Sequence, residues 1–189
     1  MENKKVVGAG KIISDLIAGW FLYGIIFGLL YTFIYNKLVA PIESLVVVAL
    51  IAIVLQGIVG LLCWKCSTNS AFKKRTMDIN EVPKVMKGLV IFTIIVCVIS
   101  GIMNYSKVDQ QVDRYVKYNS ELMVKEAYME ILYDDDEVKE YYEKKDDAIK
   151  DVKSQLYTYL IILEIGLTAV YLVILPFVKK DIVKKITEG

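Results

Sequence analysis

A chain of 189 residues that is 56% hydrophobic and still 24% charged is too apolar for an ordinary soluble domain, so its charge must be segregated from its apolar side chains. It contains no histidine, which removes the usual general base at neutral pH and the commonest metal ligand. Most hydrolase and zinc-site mechanisms are disfavoured on that ground. Its three cysteines, Cys63, Cys66 and Cys97, do not form an extracellular disulfide framework.

The apolar residues fall into four blocks of about 20, long enough to cross a bilayer as helices. Lipid offers the backbone no hydrogen-bond partners, so each block is expected to be a complete helix. The fold class read from this pattern is an all-α integral membrane protein. Four transmembrane helices carry an extramembrane antiparallel helical hairpin between the third and the fourth. Residues 1–104 hold the N-terminal tail and helices one to three, residues 105–155 the charged hairpin, and residues 156–189 helix four and a basic tail.

Residues 1–11 are a short basic start with Lys4, Lys5 and Lys11. The first block, 12–35, is longer than the apolar region of a secretory signal and lacks a small-residue cleavage site, so it reads as a retained helix. Ser14-Asp15 stands at its start, where Asp15 reads as a helix cap or interfacial group. Gly24 and Gly28 form a small-xxx-small pair that lets another helix approach closely. The first reading of that pair is helix packing inside the chain, and the second is a homo-oligomer face.

Pro41 lies in the short link to the second block, 44–64, which has one polar interruption at Gln56. Cys63 and Cys66 form a C-x-x-C pair at its end. A single pair without histidine or a second thiol pair is a weak metal or redox signal, so no metal site and no cofactor is expected. A membrane thiol oxidoreductase is the least favoured functional reading. In the following segment, 65–87, Asn80 reads as a cap and Pro83 as a first-turn residue. The third block covers 88–104.

The insertion 105–155 holds nine Lys/Arg against fourteen Asp/Glu. Val108, Val112, Tyr115 and Leu122 keep a three-four spacing in one arm, as do Val138, Tyr141, Ala148, Val152 and Tyr159 in the other. Glu121–Lys125, Glu140–Lys144, Asp113–Lys117 and Asp146–Lys150 are acid-before-base pairs one turn apart. The run Asp134–Glu137 marks the turn, with negative charge at the N-terminus of the second arm. Tyr105, Tyr115, Tyr118, Tyr128, Tyr133, Tyr141 and Tyr142 either fill the seam or present contact area to a partner.

Glu164 lies eight positions inside the fourth block, 156–178, and an ionisable group at that depth is a functional candidate by default. The structural alternative is a neutral carboxyl bonded to Gln56, Thr93 or Ser100. In the tail, Val178, Ile182 and Ile186 recur every four residues among Lys179, Lys180, Lys184 and Lys185, a pattern suited to lying on an anionic leaflet.

The flanks 1–11, 65–87 and 179–189 hold three, six and four Lys/Arg, so both termini are expected on the cytoplasmic side of a plasma or inner membrane and 105–155 outside. Trp20 and Trp64 near the inner boundary, and Tyr31, Tyr35, Tyr157 and Tyr159 near the outer one, resemble aromatic belts. The basic residues lie beside membrane helices, which leaves nucleic-acid binding without support. The expected function is non-enzymatic: the external hairpin binds a protein partner or senses the exterior. The alternative is a small proton- or cation-coupled transporter using Glu164.

Overall fold

The computed structural model describes residues 4–39, 41–42, 44–118 and 135–188. Among these described residues five helices follow one another: α1 (Ala9–Val39), α2 (Leu45–Ala71), α3 (Val82–Tyr105), α4 (Val108–Tyr118) and α5 (Asp135–Thr187). Two short strands, β1 (Lys5–Val6) and β2 (Arg75–Thr76), and a 3-10 turn at Ile79–Glu81 complete the described residues. All but α4 include stretches long and apolar enough to cross a membrane.

The helices outrun their apolar blocks because a helix ends at a cap or a proline, not where hydropathy falls. Pro41 follows the end of α1 by two residues and bars its continuation. Pro83 occupies the first turn of α3, where its missing N–H costs nothing. The cap just before it is Asp78, not Asn80: the Asp78 side chain accepts the Asn80 N–H at 2.9 Å. Between α3 and α4 the chain turns at Ser106–Lys107, a break that residue propensities did not announce. There the Ser106 hydroxyl donates to the Met103 carbonyl at 2.9 Å and the Lys107 N–H shifts to the Asn104 carbonyl. Such local bonds compete with the regular helical ladder.

The described chain divides into two compact units, Met1–Ile99 with Leu163–Gly189, and Ser100–Ile162. In the first unit α1 and α2 pack on each other. The close helix approaches fall at glycines: a Cβ at Gly166 would collide with Ile53 Cδ1, and one at Gly19 would meet the Ser67 backbone at 3.2 Å. At Gly24 and Gly28 such a Cβ would meet nothing within 4 Å. The tight helix contacts of this unit therefore lie elsewhere than at the glycine pair singled out by its spacing.

The densest part of this unit is the end where α1 and α3 begin. Ile12, Leu16, Val85, Leu89 and Ile182 are fully buried there, and Phe72 is nearly so. Strand β1 pairs in parallel with β2, and the Lys5 and Val7 N–H groups donate to the Lys74 and Thr76 carbonyls at 3.1 and 2.9 Å. This corrects the reading of the tail. Val178 and Ile182 are buried in the protein core and Ile186 packs against it, so the apolar stripe meets protein and not a lipid surface. A four-residue spacing identifies one apolar face without identifying what covers it. Trp64, 3% exposed, is also a core residue and not part of an interfacial belt.

Elsewhere the apolar side chains face outward. In the most apolar stretch of α1 no residue is buried, and Phe21, Leu22, Ile25, Ile26, Leu29 and Leu30 are exposed. So large an apolar surface is stable only in contact with another apolar medium.

The second unit has its own small core. Val108 and Val112 of α4 are buried with Leu160 of α5, and Ile149, Leu156, Tyr157 and Tyr159 pack beside them. Val108, Val112 and Tyr159 belong to the stripes read from the sequence. Ala148, also assigned to the seam, is exposed, and Ile149 takes the inward position one residue on. Tyr115, Leu122 and Tyr141 lie outside the residues whose side chains are described.

Candidate functional site

Gln56, on α2, is half-buried in the apolar part of the bundle. Its Oε1 accepts the Tyr171 hydroxyl of α5 at 3.3 Å, and its side chain also hydrogen-bonds Tyr31 of α1. One amide thus ties three helices together with neutral groups, which are far cheaper than ions to hold in an apolar medium. Glu164 is half-buried, on α5 between the buried residues Leu163 and Leu167. Tyr171 was not singled out in the sequence, and Tyr31 was read only as a boundary tyrosine; the signal that could have found both is that each is a hydroxyl-bearing residue inside an apolar block.

Asp15 is not a cap. It stands in the second turn of α1, beyond the reach of the helix-terminal N–H groups. Its carboxylate instead takes Lys11 Nζ at 2.8 Å and the Arg75 guanidinium, so that α1 is fastened to β2. The cap of α1 comes from 72 residues away: Glu81 Oε2 accepts the Ala9 N–H at 2.7 Å. A carboxylate is favourable there because the helix N-terminus carries partial positive charge. Lys84 Nζ lies 3.6 Å from the other oxygen of Glu81. Neither Arg75 nor Glu81 has a local sequence pattern that reveals its partner.

Cys63, Cys66 and Cys97 are free thiols. Cys63 is 2% exposed and its carbonyl accepts the Ser67 hydroxyl at 2.7 Å, so the C-x-x-C pair is part of a packed helix. Among the described residues no three His, Cys, Asp or Glu side chains come together as metal ligands. Trp20 stacks at a tilt on Trp64, centroids 6.0 Å apart, and meets Phe92 edge-on at 5.5 Å. These rings fill the bundle between α1, α2 and α3.

In the second unit Tyr105 stacks on Tyr157 at 5.9 Å, and Lys145 lies 5.8 Å from the Tyr142 ring. The side chains of the other partner-binding candidates, Tyr115, Tyr118, Tyr128, Tyr133 and Tyr141, fall outside the described residues. Lys153 Nζ of α5 meets Asp109 of α4 at 2.6 Å, and that bond with its charge raises the lysine pKa. Glu140 is paired with Lys144 at 2.5 Å, and the Lys144 hydrogen bond and charge lower its pKa. Lys150 pairs with Asp147 at 3.3 Å and not with Asp146, a three-residue step in place of the expected four. Glu121–Lys125 lies outside the described residues.

Against family models, curated proteins and solved structures, the chain has no significant match.

Proposed function

We propose that this is a non-enzymatic four-pass membrane protein with both termini cytoplasmic, whose external helical hairpin, residues 105–155, docks a protein partner or senses the exterior. The observation that carries this reading is a small core in the second unit with charged side chains exposed around it. Val108 and Val112 of α4 are buried against Leu160, while Asp109, Gln110, Gln111 and Asp113 beside them are exposed. Lys139, Glu140, Glu143, Lys144, Asp146 and Asp147 are likewise exposed along α5. A charged helical surface backed by its own core is suited to recognition, where electrostatic complementarity governs specificity and association rate. The same helix α5 that carries this surface also carries the last apolar span, which supports a role in relaying or anchoring a bound partner.

The test is replacement of residues 108–152 by a short linker, followed by crosslinked pull-down from the native membrane. The reading predicts unchanged insertion and loss of a partner held by the full chain. Full activity of the truncated protein would sink it.

A second reading uses Glu164. The Gln56, Tyr171 and Tyr31 side chains supply a polar layer in the same bundle, and Glu164 is a half-buried ionisable side chain on α5, within the fourth apolar block. It predicts that Glu164→Gln changes proton-coupled flux in liposomes. Absence of flux by the wild type under every gradient would dispose of it.

A further inference from the structure

Between α2 and the last turns of α5 lies a groove of about 830 Å³. Its floor is Leu61, Leu62 and Phe177, and Lys65, Lys180 and Lys184 stand around it with Asp181 and Glu188 at the tail side. We infer that this groove binds the headgroup of a monoanionic glycerophospholipid in the cytoplasmic leaflet, an assignment that rests on the membrane topology proposed above.

Three features carry the inference. The first is continuity with the lipid-facing surface: Leu61, Leu62 and Phe177 are 42%, 41% and 60% exposed, so an acyl chain can run from the groove along the apolar side of the bundle. The second is uncommitted positive charge. Among the described residues Lys65 and Lys180 have no ion-pair partner, and Lys184 reaches only Glu188, at 3.8 Å. Basic pockets between helices on the cytoplasmic side are suited to lipid phosphates.

The third feature is the balance of the lining, three lysines against two carboxylates. Its net charge of +1 is neutralised by one phosphodiester, while a polyanionic headgroup would crowd Asp181 and Glu188. Those two carboxylates can accept hydrogen bonds from headgroup hydroxyls, as a phosphatidylglycerol would offer. The groove volume falls in the range of small-ligand sites, about 300–1,000 Å³.

The experiment is native mass spectrometry of the full chain released from detergent with phosphatidylglycerol or phosphatidylcholine. The triple variant Lys65→Gln, Lys180→Gln, Lys184→Gln is set against Lys73→Gln, Lys74→Gln, Lys87→Gln. The second set removes the same charge from exposed positions outside the groove. The inference predicts that phosphatidylglycerol is retained preferentially by the wild type and the second variant, and that the groove variant loses this preference by about ten-fold. Equal loss in both variants would reduce the effect to general surface charge and overturn the inference. So would equal retention of phosphatidylcholine by the wild type. Displacement of bound lipid by soluble glycerol phosphate would overturn the lipid assignment in favour of a soluble phosphate ester. Circular dichroism of both variants guards against misfolding. Alkaline extraction of native membranes separates the two levels: a chain that washes off contradicts the membrane reading, whereas a chain that stays but fails to discriminate lipids contradicts only this inference.

Discussion

The Glu81 carboxylate accepts the backbone N–H of Ala9 at 2.7 Å, so the cap of the first helix is supplied from the far side of the second. With the β1–β2 pairing and the Asp15–Arg75 ion pair, it gives the packed end of the bundle three fastenings between the N-terminal segment and residues 75–81. Glu81→Ala removes the acceptor and the charge, and is expected to cost about 1 kcal/mol. Glu81→Gln keeps an acceptor and is expected to cost less. Thermal unfolding in detergent reads both; identical midpoints for Glu81→Ala and wild type would show that the bond contributes nothing.

Asp15 and Arg75 should be coupled. A double-mutant cycle of Asp15→Asn with Arg75→Gln is expected to give an interaction of about 1 kcal/mol, because the Asp15 side chain is only 19% exposed while Arg75 is 37% exposed. High salt should shrink that coupling. Strict additivity of the two single changes would refute the pair.

The glycines divide into two groups by what surrounds them. Gly166→Ala would drive a Cβ into Ile53, and Gly19→Ala would press on the Ser67 backbone, so each is expected to destabilise by about 1–3 kcal/mol. Gly24→Ala and Gly28→Ala meet open space and are expected to be neutral, or stabilising by up to about 1 kcal/mol through helix propensity. Unfolding midpoints of the four variants check this directly. If Gly24→Ala and Gly28→Ala were the costly pair, that face would be packed against a second copy.

The pH dependence of the second unit follows from two exposed pairs. The Asp109 hydrogen bond and charge raise the Lys153 pKa, so its stabilising contribution is complete below the ordinary lysine pKa and is lost as pH rises through the raised value. The Lys144 hydrogen bond and charge lower the Glu140 pKa, so its contribution is complete above the ordinary carboxyl pKa and is lost as pH falls through the lowered value. Spin labels at the exposed positions Gln110 and Ser154 should therefore separate or broaden in distance at strongly alkaline pH. Lys153→Gln should show the alkaline distribution already at neutral pH. A distribution that ignores both changes would contradict the account.

Apolar length made the four long helices legible, since a block of about 20 apolar residues has few alternatives. The blocks 12–35, 88–104 and 156–178 fall inside observed helices, and 44–64 does so from Leu45 on, with Ser44 as the cap position. The fastenings were not legible, because Ala9 with Glu81 and Asp15 with Arg75 are pairings far apart in sequence between residues that are individually ordinary. Lys5–Val6 is too short to show a strand pattern. Val178 and Ile182 were read as an apolar face correctly, yet their cover was misassigned because lipid and Phe72 demand the same side chains. Gln56 stood out as a lone amide, whereas tyrosine is common near membrane boundaries, so Tyr31 read as a belt residue and the hydroxyl of Tyr171 inside its apolar block passed unnoticed.

The central claim is that residues 105–155 and the two termini lie on opposite sides of a membrane. The most direct test starts from Cys63→Ala, Cys66→Ala, Cys97→Ala and adds either Gln110→Cys or Lys184→Cys, both at exposed positions. A membrane-impermeant thiol reagent is then applied to intact cells. The account predicts labelling of Gln110→Cys in intact cells, and of Lys184→Cys only after permeabilisation. Labelling of Lys184→Cys with protection of Gln110→Cys, or labelling of both in intact cells, would contradict it.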